Sequence, residues 1–459
     1  MNRTRKKWSR AEKKMLFISV GAIVFLALVG GVWNWLNATP NVNVPTPKMP
    51  RPNAFDNYVR AGKMLVAPAP LFGSYDNPKT KDRYAVPLAA KKRWLKRNVG
   101  TMRVLRQGFQ YRYLYPPSRS LFDLNPQRAR FRELARLMAA ESEVCAAHGD
   151  WKGATQSALD VIRFGTDIPH GAPLVCWTTG KDIELMGRDE LWKSLPYLNA
   201  TIALSTARRL EELAARRISF VESLQEEKWS VQGGLLKAMK ENRWNQQFLG
   251  TEVPDWQLNF VNNRLVMRHY TEIMDAQIAA ARQSYAAPRK PLPELRASLA
   301  DPFAAFLTPN FSNINWAMAR RRTDHNLLLT TMALRAYHLD KGRYPVRLSQ
   351  LVPAYLSKLP DDPFALHQTL RYKLVPVRYI REVIFVNNHK SPPNAPADGD
   401  YVLHFAQTDY CLYSVGPDLK DNGGRPQHDK NEATSTADLE KYYRVKRERK
   451  GDIVAGINR

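Results

Sequence analysis

The stretch RAYHLDKGRYPVRLSQLVPAYLSKLPDDPF, residues 335–364, carries the signals from which the fold of the C-terminal part is predicted. Gly342 stands where the end of a helix needs left-handed backbone, and Pro345 prevents the helix from continuing. The segment RLSQLVPAYLSKLP then predicts one or two short helical turns. Asp361 and Asp362, directly before a proline, favour a tight corner. The stretch therefore predicts a helix, its stop, short turns and a corner.

The segments on either side extend this pattern into a domain. Upstream, TDHNLLLTTMALRAYHLDKGRYP begins at Thr323, a candidate helix cap, and its apolar residues recur at helical spacing. Downstream, 369–386 and 400–416 are rich in Val, Tyr, Phe and Ile and have strand character. A helix, a corner and antiparallel strands in this order predict a small α+β domain over 323–459.

This order of signals resembles the C-terminal half of the major pseudopilin of type II secretion, over residues 324 to 422. The matching residues are Tyr337, Gly342, Tyr344, Pro345, Leu351, Leu356, Pro360, Asp362, Pro363, Tyr413, Ser414, Gly416, Pro417 and Asp418. The chain as a whole resembles uncharacterised bacterial envelope proteins in which helical hairpins precede such a tail. It departs from a pseudopilin because the apolar segment 15–36 contains no Glu and does not lead directly into the module. Processing and assembly into a pseudopilus are therefore not expected.

The loop SVGPDLKDNGG, residues 414–424, is a candidate calcium site. Asp418, Asp421 and Asn422 offer oxygen ligands, and the two glycines allow tight backbone turns. Asp429 or Asp452 could add a further carboxylate. The resemblance implies calcium here, because major pseudopilins bind calcium in their C-terminal loop. The spacing is not that of an EF-hand, and Asp, Asn and Gly also form ordinary turns without metal.

The N-terminal region predicts a membrane anchor. Residues 15–36, MLFISVGAIVFLALVGGVWNWL, are uncharged and long enough for one bilayer crossing. Residues 1–14 hold seven basic side chains and one Glu, which favours a cytoplasmic N-terminus. A cleaved signal peptide is the alternative. The Pro-rich segment 37–53 predicts an extended spacer that holds the folded part away from the membrane. The expected location is the bacterial inner membrane, single-pass, with the bulk of the chain outside the cytoplasm.

The middle of the chain, 54–285, predicts a mostly α-helical domain. FRELARLMAAESEVCAA, the turn HGD and WKGATQSALDVIRFGTDI, together 131–168, predict a helical hairpin that resembles a tetratricopeptide-type unit. No clean thirty-four-residue period accompanies it. Residues 201–230 read as another long amphipathic helical stretch, in which Ser205 could cap a helix. The Pro-rich, basic segment 286–322 is predicted to be a connector.

Charge and cysteine content limit the possible partners. The 459 residues carry 69 Lys and Arg against 43 Asp and Glu, a formal net charge of +26. Such a surface attracts anionic polymers and lipid headgroups, although basic charges spread along the chain are also simple composition. A nucleic-acid site is not favoured, because the basic tail 441–450 reads as a solvated helix end. Cys145 and Cys176 either form a disulfide in an exported protein or remain buried thiols, like Cys411.

No sequence motif of a common enzyme class is present. HExxH, GxSxG, GxGxxG and Walker-type loops are all missing, and no catalytic residue or organic cofactor is predicted. His148 and His170 are lone groups in predicted turns or loops. We therefore expect a non-catalytic binding or scaffolding protein of the envelope. The alternatives are a minor component of a type II secretion or DNA-uptake machine, and a hydrolase of cell-wall polymers, which needs two close carboxylates in a cleft.

Overall fold

The computed structural model describes residues 9–66, 86–119, 127–241, 261–287, 301, 303, 314–386, 400–428 and 443–458. This part of the chain is mostly helical, with a small antiparallel sheet, as the predicted α+β class requires. The helices are α1 (Arg10–Asn37), α2 (Ala54–Met64), α3 (Leu88–Arg97), α4 (Val99–Gly108), α5 (Gln127–Ala147), α6 (Trp151–Asp167), α7 (Leu174–Ser194), α8 (Ala200–Arg216), α9 (Phe220–Glu241), α10 (Asn263–Ala281) and α11 (Ile314–Lys341). The strands are β1 (Arg371–Lys373), β2 (Val377–Val386), β3 (Asp400–Thr408), β4 (Cys411–Ser414) and β5 (Ile453–Val454).

Helix α1 contains a segment long and apolar enough to cross a membrane, the 22 residues Lys14–Trp35. None of its most apolar window is buried against the rest of the protein. In the described part of the chain, no other helix meets the same criteria of length and composition. The membrane-anchor prediction is confirmed to this extent.

The Pro-rich segment after α1 contains neither helix nor strand between residues 39 and 50, but it does not separate α1 from the body. The side-chain amide of Asn263, at the start of α10, donates to the Asn37 carbonyl at 2.6 Å. Val42 packs against the core between α9 and α10. Val42 thus packs on the body, whereas the role of residues 37–53 as a spacer from the membrane stays a prediction.

The predicted hairpin is formed by α5 and α6. Asp150 caps α6 and accepts a hydrogen bond from the Gly153 amide at 2.8 Å. Helix α7 then packs closely on α6, because a β-carbon at Gly165 or Gly180 would lie within 2.6 Å of a backbone oxygen of the facing helix. Glycines at these positions therefore let the two backbones approach.

The helical stretch predicted over 201–230 is divided into α8 and α9, with a break at residues 217–219. The predicted cap is also wrong: Asn199 caps α8 and accepts from the Ile202 amide at 2.9 Å. Ser205 lies inside α8 and donates to the Ile202 carbonyl instead. Helix α8 ends before Arg217, which has extended backbone and whose side chain binds the buried Glu184, as described below.

Helix α11 begins at Ile314, inside the predicted connector 286–322, so Thr323 is not its cap but a buried residue in its interior. The largest core joins residues of α6, α7 and α8 to α11 and to the C-terminal part. Leu210, Leu328, Leu351 and Ile453 are among its buried members. The helical middle and the C-terminal module therefore share one hydrophobic core.

The C-terminal module follows the predicted order. Helix α11 is followed by Gly342 at φ 68°, and a short 3-10 helix covers Leu348–Leu351. Each predicted strand segment contains two strands rather than one. Strand β4 pairs antiparallel with β1 and β5, whereas β2 and β3 form a separate antiparallel ribbon. The predicted strands and their antiparallel pairing are confirmed.

Candidate functional site

A cleft of about 740 Å³ lies between the helical middle and the C-terminal module. Its wall is formed by the start of α9, the end of α10, the start of α11 and the loop 361–367. Arg282 and His367 are exposed at this cleft and contribute polar groups. Arg322 also lines it and donates to the Asp361 carboxylate at 3.2 Å. A concave surface with a few polar groups, at the junction of two parts of a protein, is typical of a binding site.

The cleft lies at the end of α10 that is remote from α1. Asn263, the first residue of α10, contacts the end of α1, whereas Ala281, its last residue, lines the cleft. A helix of 19 residues is about 28 Å long. The body therefore holds the cleft at a set distance from the end of the apolar helix.

A buried charge network adjoins the cleft and joins four segments of the chain. Glu184 of α7 has no exposed surface, and its carboxylate accepts hydrogen bonds from three arginines. These arginines are Arg188 of α7, Arg217 between α8 and α9, and Arg321 of α11. Thr166 of α6 donates to the same carboxylate at 3.0 Å. Because the donors come from separate elements, the network locks α7 and α11 together.

The three arginines keep the buried carboxylate ionised. Burial alone raises the pKa of Glu184, but the charges of Arg217 and Arg321 outweigh it, and its pKa lies well below the ordinary value. Burial in turn lowers the pKa of Arg217 to about 10. The network thus contains three arginines and one carboxylate, which is an excess of buried positive charge.

His325 completes this network as a neutral side chain. Burial, followed by the charges of Arg217 and Arg188, lowers the pKa of its imidazole well below the ordinary value. The Arg217 guanidinium donates to Nδ1 of His325 at 2.9 Å. Because an arginine can only donate, Nδ1 is the acceptor and the proton lies on Nε2. Among the described residues Nε2 has no hydrogen-bond partner.

The corner predicted at Asp361 and Asp362 is present, and the Asp362 side chain also binds residues outside the corner. The carboxylate of Asp362 accepts from the Ser414 hydroxyl at 2.5 Å and from the amides of Phe364 and Val415, each at 3.0 Å. Burial raises the pKa of Asp362, and these hydrogen bonds oppose that rise. Asp362 thereby fastens the loop beneath the cleft to the end of β4.

The three predicted calcium ligands lie in one loop, and their side chains form hydrogen bonds with other groups of the C-terminal module. The carboxylate of Asp418 accepts from the side-chain amide of Asn422 and from the Gly451 amide, both at 3.2 Å. Asp421 accepts from the Tyr413 hydroxyl at 3.0 Å and the Gly423 amide at 2.8 Å. No group of three or more His, Cys, Asp or Glu residues in the described ranges is arranged to hold a metal ion. Calcium at this loop stays a prediction.

Asp452 is one of the two carboxylates that the sequence offered as a further calcium ligand. It is buried, and its carboxylate accepts from the amides of Asn422 at 3.1 Å and Gly424 at 2.6 Å. Burial raises its pKa to about 6 despite the two backbone hydrogen bonds, which oppose the rise, and the nearby Asp421 and Asp418 add a smaller increase. The other candidate, Asp429, lies outside the described residues.

The remaining predicted groups are separate from the cleft. The rings of His148 and His170 each contact a backbone carbonyl within their own turn, Val144 and Asp167 respectively. Cys145 at the end of α5 and Cys176 in α7 are not joined by a disulfide. The carboxylates of Glu141 and Asp160 are close to each other, but Arg106 bridges them.

Comparison of the chain with family models, with curated proteins and with solved structures finds no match. The function is therefore inferred from the geometry of the chain itself. The buried network of Glu184, Arg217 and Arg321 was not found from the sequence, because residues so far apart in the chain carry no common local signal.

Proposed function

We propose that this is a single-pass protein of the bacterial inner membrane with a non-catalytic binding or scaffolding role. The N-terminus would lie in the cytoplasm and the body outside it. The observation that carries the proposal is the position of the cleft, which is open to solvent at the end of α10 opposite α1. A body fastened directly to the end of α1 would present this cleft to envelope partners at a constant height above the membrane.

The charge network supports a rigid body rather than a catalytic centre. Arg217 and Arg321 both bind Glu184, and the residues close to them in sequence, Ser219 and Arg322, line the cleft. The cleft wall is therefore anchored to the core through buried ion pairs. In the described part of the cleft, each of the two carboxylates is engaged: Asp361 with Arg322, and Asp362 with Ser414.

The proposal is tested by crosslinking from the cleft in intact cells. A photo-reactive amino acid at Leu366, which lines the cleft and is 50% exposed, should give discrete adducts with an envelope component. The matched control is Leu339, which is 40% exposed and lies about 25 Å further along α11 than Arg322. Arg282→Glu in the Leu366 background should reduce the adducts, because it reverses a charge at the cleft.

Equal adducts from Leu366 and Leu339, or none from either, would contradict a binding role for the cleft. The identity of the adduct separates the alternatives. Secretion or pilus proteins would favour the second candidate, a minor component of a type II secretion or DNA-uptake machine. What supports that candidate is the resemblance of the C-terminal module to a pseudopilin, since two of the matching residues, Asp362 and Ser414, are in direct contact.

A further inference from the structure

The contacts of Trp35 locate the membrane surface on the body. Trp35 ends the 22-residue apolar segment, which is about 33 Å long as a helix and matches the hydrocarbon thickness of a bilayer. Trp33 and Trp35 are both exposed, and indole side chains favour the interfacial layer. The guanidinium of Arg264 lies 4.6 Å from the Trp35 ring centroid, and its Nε donates to the Trp35 carbonyl at 2.7 Å. The first turn of α10 therefore lies at the level of the lipid headgroups.

The pairing of α9 with α10 brings the end of α9 to the same level. The two helices run antiparallel, because Lys228 binds Asp275 at 2.6 Å and Gln232 donates to Thr271 at 2.9 Å. The same register continued along both helices places Lys240 beside the start of α10. The C-terminal turns of α9 and the N-terminal turns of α10 thus form one end of the body, next to the end of α1.

The described charged residues at this end of the body are mainly basic. We name it the α9–α10 tip and define it by Lys237, Lys240, Arg264 and Arg268. Lys237 and Lys240 are exposed and make no ion pair with a described residue. The acidic residues of the same turns are Glu241 and Glu272, and Glu272 lies 3.9 Å from Arg268 in an exposed pair. Four basic against two acidic side chains leave a formal charge of +2 on the described residues of the tip, which gives it a positive field.

We propose that the α9–α10 tip binds the phosphates of anionic phospholipid headgroups in the leaflet where α1 ends. The inference rests on the proposed insertion of α1 into the membrane, and it is independent of what the cleft binds. Basic side chains next to a membrane-spanning helix attract anionic lipids within a Debye length of the surface. Bound headgroups would fix the tilt of the body as well as its height.

The experiment uses the full chain in lipid nanodiscs and measures amide hydrogen exchange of residues 236–241 and 261–268. One set of discs contains phosphatidylcholine, and the other contains phosphatidylcholine with phosphatidylglycerol. Exchange at both segments is expected to be slower by on the order of tenfold in the anionic discs, and the difference should disappear at high salt. The variant Lys237→Gln, Lys240→Gln, Arg268→Gln should remove the difference between discs.

The matched control removes the same charge elsewhere, through Arg208→Gln, Arg343→Gln and Lys358→Gln, all exposed positions outside the tip. It should keep the full effect of the anionic lipid. Equal exchange in the two kinds of disc, or an equal loss in both variants, would overturn the proposal. Protection by inorganic phosphate in phosphatidylcholine discs would overturn it in favour of a free anion site. Unprotected α1 amides in both kinds of disc would show that α1 does not insert into the membrane, and this would overturn the proposal. The binding role of the cleft is tested separately by the crosslinking experiment.

Discussion

Two buried carboxylates of this protein, Glu184 and Asp452, are accommodated in the interior by different partners, and their pKa values shift in opposite directions. Glu184 is neutralised by arginines from α7, α11 and the break between α8 and α9, and its pKa is lowered. Among the described residues, Asp452 has only backbone amides of its own module as hydrogen-bond donors and no arginine partner, and burial raises its pKa to about 6. A buried carboxylate thus either ties distant elements together through charge or organises a loop through hydrogen bonds.

The difference shows where the stability of the body resides. Removing one partner of a buried ion pair leaves an uncompensated charge in the interior, which is more costly than losing a hydrogen bond to a neutral amide. The helical middle should therefore be more sensitive to loss of a carboxylate than the C-terminal loop. Four predictions test this contrast, in order of decreasing effect.

The largest effect is expected for Glu184→Gln. The change leaves Arg188, Arg217 and Arg321 buried without their counter-charge and should destabilise the body by about 3–5 kcal/mol. Chemical denaturation of the full chain in detergent, followed by tryptophan fluorescence, measures the loss. If Arg321→Met in the Glu184→Gln background restores part of the stability, the cost is that of unpaired charge rather than of lost shape.

The control for this variant is Glu212→Gln, which removes an exposed carboxylate paired with Arg209. Its effect should stay within about 0.5 kcal/mol, because exposed ion pairs contribute little. Similar losses for the Glu184 and Glu212 variants would show that the buried network does not hold the body together.

A smaller loss is expected for Asp362→Asn. The amide offers one oxygen where the carboxylate has two, so one of its hydrogen bonds to Ser414, Phe364 and Val415 must be lost, at about 1–3 kcal/mol. The neighbouring Asp361→Asn is a matched control, because Asp361 is exposed and pairs with the exposed Arg322. Thermal melting of both variants should separate them, and equal melting temperatures would contradict the role given to Asp362.

The pH dependence of stability tests the assignment of Asp452. Its pKa of about 6 in the folded protein lies above the ordinary value of 3.8, so the folded state binds more protons than the unfolded state between these values. Asp452 therefore contributes stability below about pH 4 that is lost as the pH rises through 6. Melting temperatures from pH 4 to 7 should fall more for the wild type than for Asp452→Asn. Parallel curves would show that Asp452 titrates normally.

The smallest effect is expected from calcium, if the loop at Asp418, Asp421 and Asn422 binds it. A ligand at ten times its Kd stabilises the folded state by about 1.4 kcal/mol. Melting of the full chain with calcium and with a chelator measures this shift, which should disappear in Asp418→Ala and persist in the control Asp409→Ala. No shift at millimolar calcium would leave SVGPDLKDNGG as an ordinary turn.

Local signals were enough for much of the fold. The apolar run before Leu36 predicted a helix that could span a membrane, and Asp150 marked the start of α6. Gly342 and Pro345 predicted the end of α11 because their backbone restrictions act within a few residues. The start of α11 was misplaced at Thr323, because threonine is a residue type that caps helices, although Asn313, directly before Ile314, is of such a type as well.

The candidate site was only partly accessible from the sequence. Asp361 and Asp362 were recognised as a corner, because Asp and Pro favour turns locally. That Asp362 also binds Ser414, and that this corner forms a cleft wall with Arg282 and Arg322, depends on which helices pack together. The same holds for the basic tip, where Lys240 and Arg264 lie at the same end of the helix pair only because α9 and α10 run antiparallel.

The sequence by itself determined the elements whose causes are local: the apolar α1, the α5–α6 hairpin, the stop at Gly342 and the strands that follow. The tertiary structure alone decided that the middle and the C-terminal module share one core, and that Glu184 meets Arg217 and Arg321. The physical reason is that helix caps, turns and apolar periodicity act over a few residues. Burial and charge pairing act across the folded chain, and they depend on the complete packing arrangement.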